Sequence, residues 1–414
     1  MPRARFFSVR IATTLGLVTL LGGIASGCRQ TSDAPRELTR AEVEPVLVQY
    51  ADIAWASYSD SVTRAKDLER AVGAFVDAPS ESSLKRARDA WVQARLPYLQ
   101  TEAYRFYGGP IDEVELLVNT WPIDEEYLET SDGKAGVIRD ASKHPTLSEA
   151  LLSELNLKEG ETSVSTGFHA IEFLLWGKDT SLDGPGTRSY TDYVREPASI
   201  TLASDRLQAP GMDVTAVRRR GEYLKLASAL LVRHLSQVAA AWQPNVADNY
   251  RSRFVELEPR AGLLSLVKGA GSLSGAELSG ERLTVPYETR DQENEHSCFS
   301  DTTHIDLEYD AVGIRNVLLG RYRRLDGTEL RGKSIRDLVE VSDPALAAKL
   351  ERAANESVLA ARAIPAPFDR AIAGADDTPG RLGVKRAIVA FQRLTTTLDA
   401  VAANLGLAAR PETP

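Results

Sequence analysis

Cysteine, long apolar runs and alternating β-branched residues are all scarce in this sequence of 414 residues. Its two cysteines, Cys28 and Cys298, exclude a framework of disulfides, so burial of apolar side chains must stabilise the fold. Beyond residue 27 no run approaches the roughly 20 apolar residues that a helix needs to cross a bilayer. The lack of strand-like alternation argues against a large sheet. The net charge of −9 makes nucleic acid an unfavourable partner.

The first 27 residues are typical of a bacterial export signal. Three arginines precede an uncharged, mostly apolar run at residues 11–24, and small residues then lead to Cys28. This order predicts a lipoprotein signal peptide, so that Cys28 becomes the lipidated first residue. An ordinary signal peptide cleaved near Ala25 is the alternative. Arg29 stands where an aspartate retains lipoproteins in the inner membrane, so we expect a periplasm-facing protein on the outer membrane.

Apolar residues recur at helical spacing along most of the remaining sequence, which predicts an all-α fold. The exception is residues 268–288, where glycine and serine are frequent and a loop or small hairpin is expected. The expected helices cover residues 40–77, about 80–106, 112–120, 147–155, 167–177, 214–242, 245–267, 306–320, 333–340, 344–363 and 380–405.

A Gly-x-His-x-x-Glu motif at residues 167–172 carries the strongest chemical signal. His169 and Glu172 are three residues apart and therefore project from the same face of a helix. Imidazole and carboxylate together suit iron, zinc or another divalent transition metal. Because the neighbouring residues up to Trp176 are almost all apolar, we expect this helix to be buried, with the charge of Glu172 paired. That pairing leaves a second interpretation, in which the glutamate simply binds the histidine or an arginine.

Part of the motif helix recurs later in the sequence. Residues 170–184 align without a gap with residues 313–327, and both segments end in Leu-Asp-Gly. Val312 and Arg315 stand at the places of the motif histidine and glutamate, so the second copy lacks both ligands. We infer a duplicated helix–loop unit. A purely structural repeat, with Leu-Asp-Gly serving only as a turn, is the alternative.

Four segments follow from these patterns. Residues 1–27 are the predicted signal peptide, and residues 28–39 are the lipidated cysteine with a flexible tether. Residues 40–212 and 213–414 are two predicted helical bundles, the first of which carries the motif. Because pockets often form between such units, we expect one functional site at their interface.

Two further stretches are dense in polar residues. Residues 91–106 place Glu102 and Arg105 three residues apart, and residues 292–304 concentrate histidines, acids and hydroxyls ahead of a helix. With the motif and residues 119–124, these stretches resemble the imelysin family of bacterial envelope proteins. The resemblance covers nearly all of the sequence after the tether, and it implies two bundle-like α-helical domains with a site at their interface.

The resemblance also implies which residues belong to that site. Members are catalogued as metallopeptidases, and related proteins are tied to iron uptake as iron-regulated or iron-binding envelope components. The implied site residues are His169 and Glu172 of the motif, Glu102 and Arg105 facing it, and Ser297, Asp301 and His304 from the second domain.

Three functions compete for this site. The first is a metal-binding protein of an iron-acquisition system, with His169, Glu172 and Glu102 binding divalent or ferric iron, or zinc. In this first function Arg105 would orient a carboxylate or an anionic chelate, and the partners would be a metal ion or chelate and envelope iron-transport components.

The second function is a zinc peptidase, although no His-Glu-x-x-His motif is present. The third is a metal-free module in which His169, Glu172 and Arg105 form a buried polar network. We favour the first, which requires no catalysis.

Overall fold

A computed structural model of the chain describes residues 38–129, 136–194 and 214–407. The predicted signal peptide, the lipidated Cys28, most of the tether and the predicted boundary between residues 212 and 213 lie outside these ranges. The fold is all-α, as the sequence predicts, and one pair of short strands is the only sheet among the described residues. None of the described helices combines the length and the apolar character that spanning a membrane requires.

The strands β1 (Arg321–Arg323) and β2 (Glu329–Arg331) form an antiparallel hairpin in which Tyr322 pairs with Leu330. A 3₁₀ turn at Glu102–Tyr104 and a π-helical stretch at Leu273–Thr284 are the irregular helical segments that matter for the site. The α-helices are α1 (Arg40–Asp77), α2 (Glu81–Leu99), α3 (Glu115–Val118), α4 (Glu125–Leu128), α5 (Glu149–Leu155), α6 (Gly167–Trp176), α7 (Val214–Ala241), α8 (Tyr250–Val255), α9 (Pro259–Ser272), α10 (Val285–Thr289), α11 (Thr303–Leu319), α12 (Ile335–Ser342), α13 (Pro344–Arg362), α14 (Phe368–Ala373) and α15 (Pro379–Asn404).

Side-chain caps decide where the first two helices begin. The backbone N–H of Thr39 donates to Glu42 Oε2 at 2.9 Å, which forms part of a capping box at the start of α1. Ser80 Oγ accepts from the backbone N–H of Ser83 at 3.2 Å and starts α2. Both starts agree with the starts expected from the sequence.

The helix expected to reach about Phe106 ends earlier. α2 stops at Leu99, the Thr101 hydroxyl donates to the carbonyl oxygen of Tyr98 at 2.6 Å, and the 3₁₀ turn follows. Phe106 then adopts a φ of 76°, outside the α-helical region. The prediction of one helix through residues 80–106 is therefore wrong at its C-terminal end, because the Thr101 side chain satisfies a terminal carbonyl and lets the chain turn.

The prediction of a loop or small hairpin at residues 268–288 is also wrong, because the structure has one continuous helical segment there. α9 passes into the π-helical stretch and then into α10. Its glycines allow close packing. A Cβ at Gly269 would lie 2.4 Å from the carbonyl oxygen of Ala103, and one at Gly275 would lie 3.1 Å from a side chain of α15. At these two positions glycine marks a close contact of a helix and not a loop.

Apolar side chains form two hydrophobic clusters, and α1 contributes to both. The larger cluster contains the first half of α1, residues 43–58, with α9 and α11 to α15. The smaller cluster contains the second half, residues 65–76, with α2, α6 and most of the buried face of α7. All ten residues of α6 are buried, as its composition predicts. The division into bundles at residues 40–212 and 213–414 stays a prediction.

The two copies of the inferred repeat share one feature of their helix ends. α6 is followed by Gly177 with a φ of 73°, and α11 by Gly320 with a φ of 61°. Positive φ at these positions favours glycine. Beyond the glycines the copies differ, since the second continues into the hairpin while residues 178–186 are irregular, with a turn and bend at 182–185. The internal repeat therefore stays a prediction as well.

Candidate metal centre

The motif helix α6 begins at a glycine that its surroundings require. Gly167 has a φ of 84°, and a Cβ built on it would lie 2.4 Å from the carbonyl oxygen of Val118. One residue later, the carbonyl oxygen of Phe168 accepts a hydrogen bond from Trp91 Nε1 at 2.9 Å. These contacts hold the first turn of α6 against α2 and the end of α3, and so they set the direction in which His169 projects.

His169 and Glu172 share a face of α6, as predicted, and hydrogen-bond to each other. His169 Nδ1 lies 2.8 Å from Glu172 Oε2, and the two side chains are 1% and 0% exposed. The other glutamate oxygen, Oε1, accepts from the backbone N–H of Ser300 at 2.9 Å and from its hydroxyl at 2.6 Å. Nε2 of His169 is buried and has no hydrogen-bond partner among the described residues. The pair thus presents one free imidazole nitrogen, while Glu172 holds the ring in place.

Burial favours the uncharged forms of both side chains. The pKa of His169 is held well below its ordinary value by burial and by the positive charge of Arg95. Burial raises the pKa of Glu172 to about 8, although the hydrogen bonds from Ser300 and the charge of Arg95 oppose the rise. A neutral imidazole is the form that binds metal. A carboxyl with this pKa holds its proton at pH 7 in the absence of a bound cation.

The raised pKa of Glu172 predicts that the protein loses stability as the pH rises from about 5 to about 8. The folded state holds this proton more tightly than the unfolded chain, whose carboxyl ionises near 4.5, so a higher pH favours unfolding. One such group contributes up to about 1.4 kcal/mol per pH unit within this window. Glutamine cannot ionise, so we expect Glu172→Gln to remove this pH dependence of the free energy of unfolding. Above about pH 8 the variant should be more stable than the wild type.

Urea denaturation of both proteins across this pH range, with a chelator present, measures the difference. Glu161→Gln is the matched control, because it makes the same change at an exposed side chain. Parallel stability curves for the wild type and Glu172→Gln would mean that Glu172 ionises near its ordinary pKa, contrary to the expectation.

Beside the motif pair lies a buried ion pair between Arg95 of α2 and Asp306 of α11. Arg95 Nη2 lies 2.8 Å from Asp306 Oδ2, and both side chains are 1% exposed. The same oxygen accepts from Ser297 Oγ at 2.5 Å and lies 2.7 Å from His296 Nδ1. Burial would raise the pKa of Asp306, but Arg95 and His296 outweigh it and hold that pKa well below its usual range. The His296 ring packs on His169 with centroids 4.8 Å apart, which joins this network to the motif helix.

Glu102 lies in a second buried network, which contains two arginines. Its Oε2 accepts from Arg105 Nη1 at 2.7 Å and from Arg282 Nη2 at 2.8 Å. Arg282 comes from the π-helical stretch, a type of segment often found at functional sites, and also donates to Asp310 Oδ2 at 2.8 Å. Burial would raise the pKa of Glu102, but the two arginines lower it, so the carboxylate is ionised at neutral pH. Its Oε1 and Oδ1 of Asp310 are buried without a hydrogen-bond partner in the described part of the chain.

The predicted metal ligands His169, Glu172 and Glu102 do not form one compact group. Within the described ranges, one group of acidic, histidine or cysteine side chains has three ligand atoms within 4.8 Å of one another, and these residues are not in it. Glu172 uses both oxygens to bind His169 and Ser300, and Glu102 is bound by arginines. Their joint coordination of a metal stays a prediction.

The three residues predicted from the second domain have different surroundings. Ser297 belongs to the network of the buried ion pair. Asp301, whose φ is 56°, lies with Asp179 and Asp369 in the compact group of carboxylates just mentioned. His304 lies in the first turn of α11 and is half-buried, and its Nδ1 has no hydrogen-bond partner among the residues that the structure describes.

Several charged residues of the centre are absent from the predicted set. One signal could have found three of them, namely a charged residue on the buried face of an α-helix. Asp306 and Asp310 are four residues apart and share a face with the buried Ile314. The same signal applies to Arg95, four residues after the buried Trp91. The residues missed are Arg95, Arg282, His296, Asp306 and Asp310.

Comparison with known proteins agrees with this architecture. Iron-regulated protein A of Synechococcus elongatus is 25% identical over 352 residues, which are 83% of this chain and 81% of that protein. A solved structure assigned as an iron-regulated protein A precursor from Parabacteroides distasonis matches with a TM-score of 0.66 at 19% identity, covering 89% of this chain and 96% of its own. An imelysin-like protein from Psychrobacter arcticum matches with a TM-score of 0.58 at 14% identity, covering 90% and 98%.

The two solved structures support the all-α fold of this chain. The sequence profile described as imelysin, peptidase family M75, matches residues 54–399, which is most of the chain. This chain therefore belongs to the imelysin family.

Proposed function

We propose that this chain binds a transition-metal ion, with iron favoured, as the cargo of an iron-related function in the cell envelope. The observation that carries the proposal is the free Nε2 of His169, which is buried while Nδ1 is held by Glu172. Metal-binding histidines commonly use one ring nitrogen for the metal, while a carboxylate fixes the other. When a cation binds at Nε2, Glu172 gives up its proton, and the resulting carboxylate orients the imidazole and keeps the ring proton on Nδ1.

Glu102 is the proposed second ligand. Its Oε1 is buried without a hydrogen-bond partner in the described ranges, while Oε2 is fixed by Arg105 and Arg282. An imidazole nitrogen with a carboxylate oxygen suits iron, and water or an anionic chelate would complete the coordination. Arg105 also lies 3.2 Å from Glu115, so it is paired with carboxylates of the protein before any chelate binds.

Iron is favoured over zinc because the cyanobacterial relative is named an iron-regulated protein. The proposal places the protein at the periplasmic side of the outer membrane, where the predicted lipid on Cys28 would anchor it. Metal ions or their chelates, and components of envelope iron transport, are the proposed partners. An exchangeable site suits this role, since a cargo protein must release what it binds.

Peptide hydrolysis is the less favoured function for this centre. A zinc peptidase needs a general base that is ionised at the working pH. Burial raises the pKa of Glu172 to about 8, and this carboxyl already binds His169 and Ser300. A metal-free polar network is also less favoured, because the charge partners of Arg105 are Glu102 and Glu115 and not the motif pair.

Calorimetric titration of the purified, chelator-stripped protein with ferrous, ferric and zinc ions tests the proposal. We expect one ion to bind per chain and His169→Ala to weaken binding by at least about a hundredfold, because it removes the free nitrogen. Glu172→Gln should weaken binding by about ten- to a hundredfold, since it removes the carboxylate that orients the ring.

His234→Ala is the matched control for this titration. His234 is 8% exposed and, within the described residues, both of its ring nitrogens lack a hydrogen-bond partner, yet it lies on α7 outside the motif. Binding that is unchanged in His169→Ala, or equally weakened in His234→Ala, would reject the assigned site. Cleavage of an unstructured peptide that both a chelator and Glu172→Gln abolish would instead favour the peptidase.

A further inference from the structure

Three buried carboxyl groups meet at Asp301, the residue that follows Ser300. Asp179 follows α6, Asp301 precedes α11 and Asp369 lies in α14, and one oxygen of each comes within 4.8 Å of the others. They are 7%, 6% and 0% exposed, respectively. Three separate segments thus bring their carboxylates to one place inside the protein.

Apart from a contact between Asp179 and Asp301 themselves, these acids lack most of the partners that buried acids normally have. One oxygen of Asp179 accepts from the backbone N–H of Ser181 at 3.0 Å. Its other oxygen and both oxygens of Asp301 and Asp369 have no hydrogen-bond partner among the described residues. Within the described ranges, no lysine, arginine or histidine forms an ion pair with them. By contrast, the buried Glu129 is paired with Arg188 and Arg220.

Glu295 provides an independent observation that points to a ligand. Its side chain is 0% exposed, and neither carboxyl oxygen has a hydrogen-bond partner within the part of the chain that the structure describes. It lies against Asp369 and near Asp301, and burial together with these neighbours raises its pKa well above the ordinary value. The charged form of a fully buried carboxyl beside Asp369 and Asp301 is costly unless a cation compensates it.

We propose that Asp179, Asp301 and Asp369, with Glu295, bind a hard cation through oxygen ligands only. Carboxylate oxygens without nitrogen or sulfur select calcium, magnesium or manganese among divalent ions, and ferric iron among trivalent ones. Four acids from three segments suit the larger calcium ion, which accepts six to eight oxygens in flexible geometry. This site goes beyond the proposed function, since it uses neither His169 nor Glu102.

The proposed cation would tie together segments that are distant in sequence. Asp179 belongs to the loop after the motif helix, and Gln292 Nε2 donates to its carbonyl oxygen at 3.0 Å. Ser300, which binds Glu172, immediately precedes Asp301. A cation at the acidic group would therefore also hold the segment that positions the motif glutamate.

Thermal unfolding of the full chain after chelator treatment tests this inference. We expect added calcium, at about a hundredfold above its dissociation constant, to raise the unfolding temperature by at least about 2 °C. Asp369→Asn should abolish that rise, and Glu295→Gln should weaken calcium binding at least tenfold in calorimetry. Asp369→Asn should also unfold at a higher temperature than the wild type without cation, because it removes one member of a crowded group of buried acids.

Asp183→Asn is the matched control, since its side chain is 71% exposed and lies in the same loop as Asp179. His169→Ala should keep the full calcium response, which separates this site from the proposed iron site. The same thermal unfolding is measured with magnesium and with ferric citrate in place of calcium. A rise in the unfolding temperature with ferric iron that Asp369→Asn abolishes also supports a hard-cation site. A response to zinc alone, no response to any ion, or an unchanged response in Asp369→Asn would overturn the inference.

Discussion

Replacing Asp306 with alanine is expected to lower the free energy of unfolding by about 3–5 kcal/mol. The change leaves the guanidinium of Arg95 buried, 1% exposed, and without its carboxylate. The Oδ1 of Asn119 still accepts from Arg95 Nη1 at 2.5 Å, but a neutral amide cannot compensate the charge. Ser297 and His296 lose the same hydrogen-bond partner, which leaves further buried polar atoms unsatisfied.

The aromatic rings around Arg95 compensate only a small part of the cost of burying its charge. Its guanidinium carbon lies 5.0 Å from the ring centroid of Phe168, 5.5 Å from that of Trp91 and 5.8 Å from that of Tyr98. Aromatic faces attract a buried cation by about 2 kcal/mol, whereas an isolated buried charge costs considerably more. The ion pair with Asp306 is therefore what allows an arginine at this position.

Urea denaturation at pH 7 measures this loss of stability. Asp89→Ala is the control, because Asp89 and Lys85 form an ion pair of 2.7 Å with side chains 58% and 73% exposed. It should cost less than about 1 kcal/mol. Adding Arg95→Met to Asp306→Ala removes both charges and should recover part of the stability. A loss for Asp306→Ala no greater than that for Asp89→Ala would contradict the buried ion pair.

Substitution of Gly167 by alanine is expected to cost about 2–5 kcal/mol. Alanine is strained at a φ of 84°. Its Cβ would also lie 2.4 Å from the carbonyl oxygen of Val118, which is backbone and cannot rotate away. The start of α6 must therefore shift, and because His169 lies in its first turn, we expect metal binding to weaken in the same variant.

Gly73→Ala is the matched control for this substitution. Gly73 lies inside α1, and a Cβ there meets nothing within 4 Å. Alanine should stabilise the protein at this position by up to about 1 kcal/mol, because it forms helices better than glycine. Chemical denaturation of both variants measures the effect of the same glycine-to-alanine change at two positions. We expect the change to destabilise the protein at residue 167 and to stabilise it at residue 73. A Gly167→Ala protein as stable as the wild type would show that the contact with Val118 relaxes without cost.

Local patterns account for what the sequence predicts well. The spacing of apolar residues depends on neighbours three and four positions apart, so it predicts the helical fold and the burial of α6. The three-residue spacing of His169 and Glu172 likewise predicts that they share a face. The same reasoning fails at residues 268–288, because glycine weakens a helix locally while close packing against Ala103 rewards it.

The sequence by itself determined the all-α fold, the buried motif helix and the presence of a histidine and a glutamate on one of its faces. Only the tertiary structure decided which groups bind them. Ser300 reaches Glu172 across 128 positions of sequence, and Arg95 reaches Asp306 across 211. The acidic group of Asp179 and its neighbours also depends on such long-range packing. Spacing rules carry no information about contacts of this range, because those contacts form only when distant helices and loops pack together.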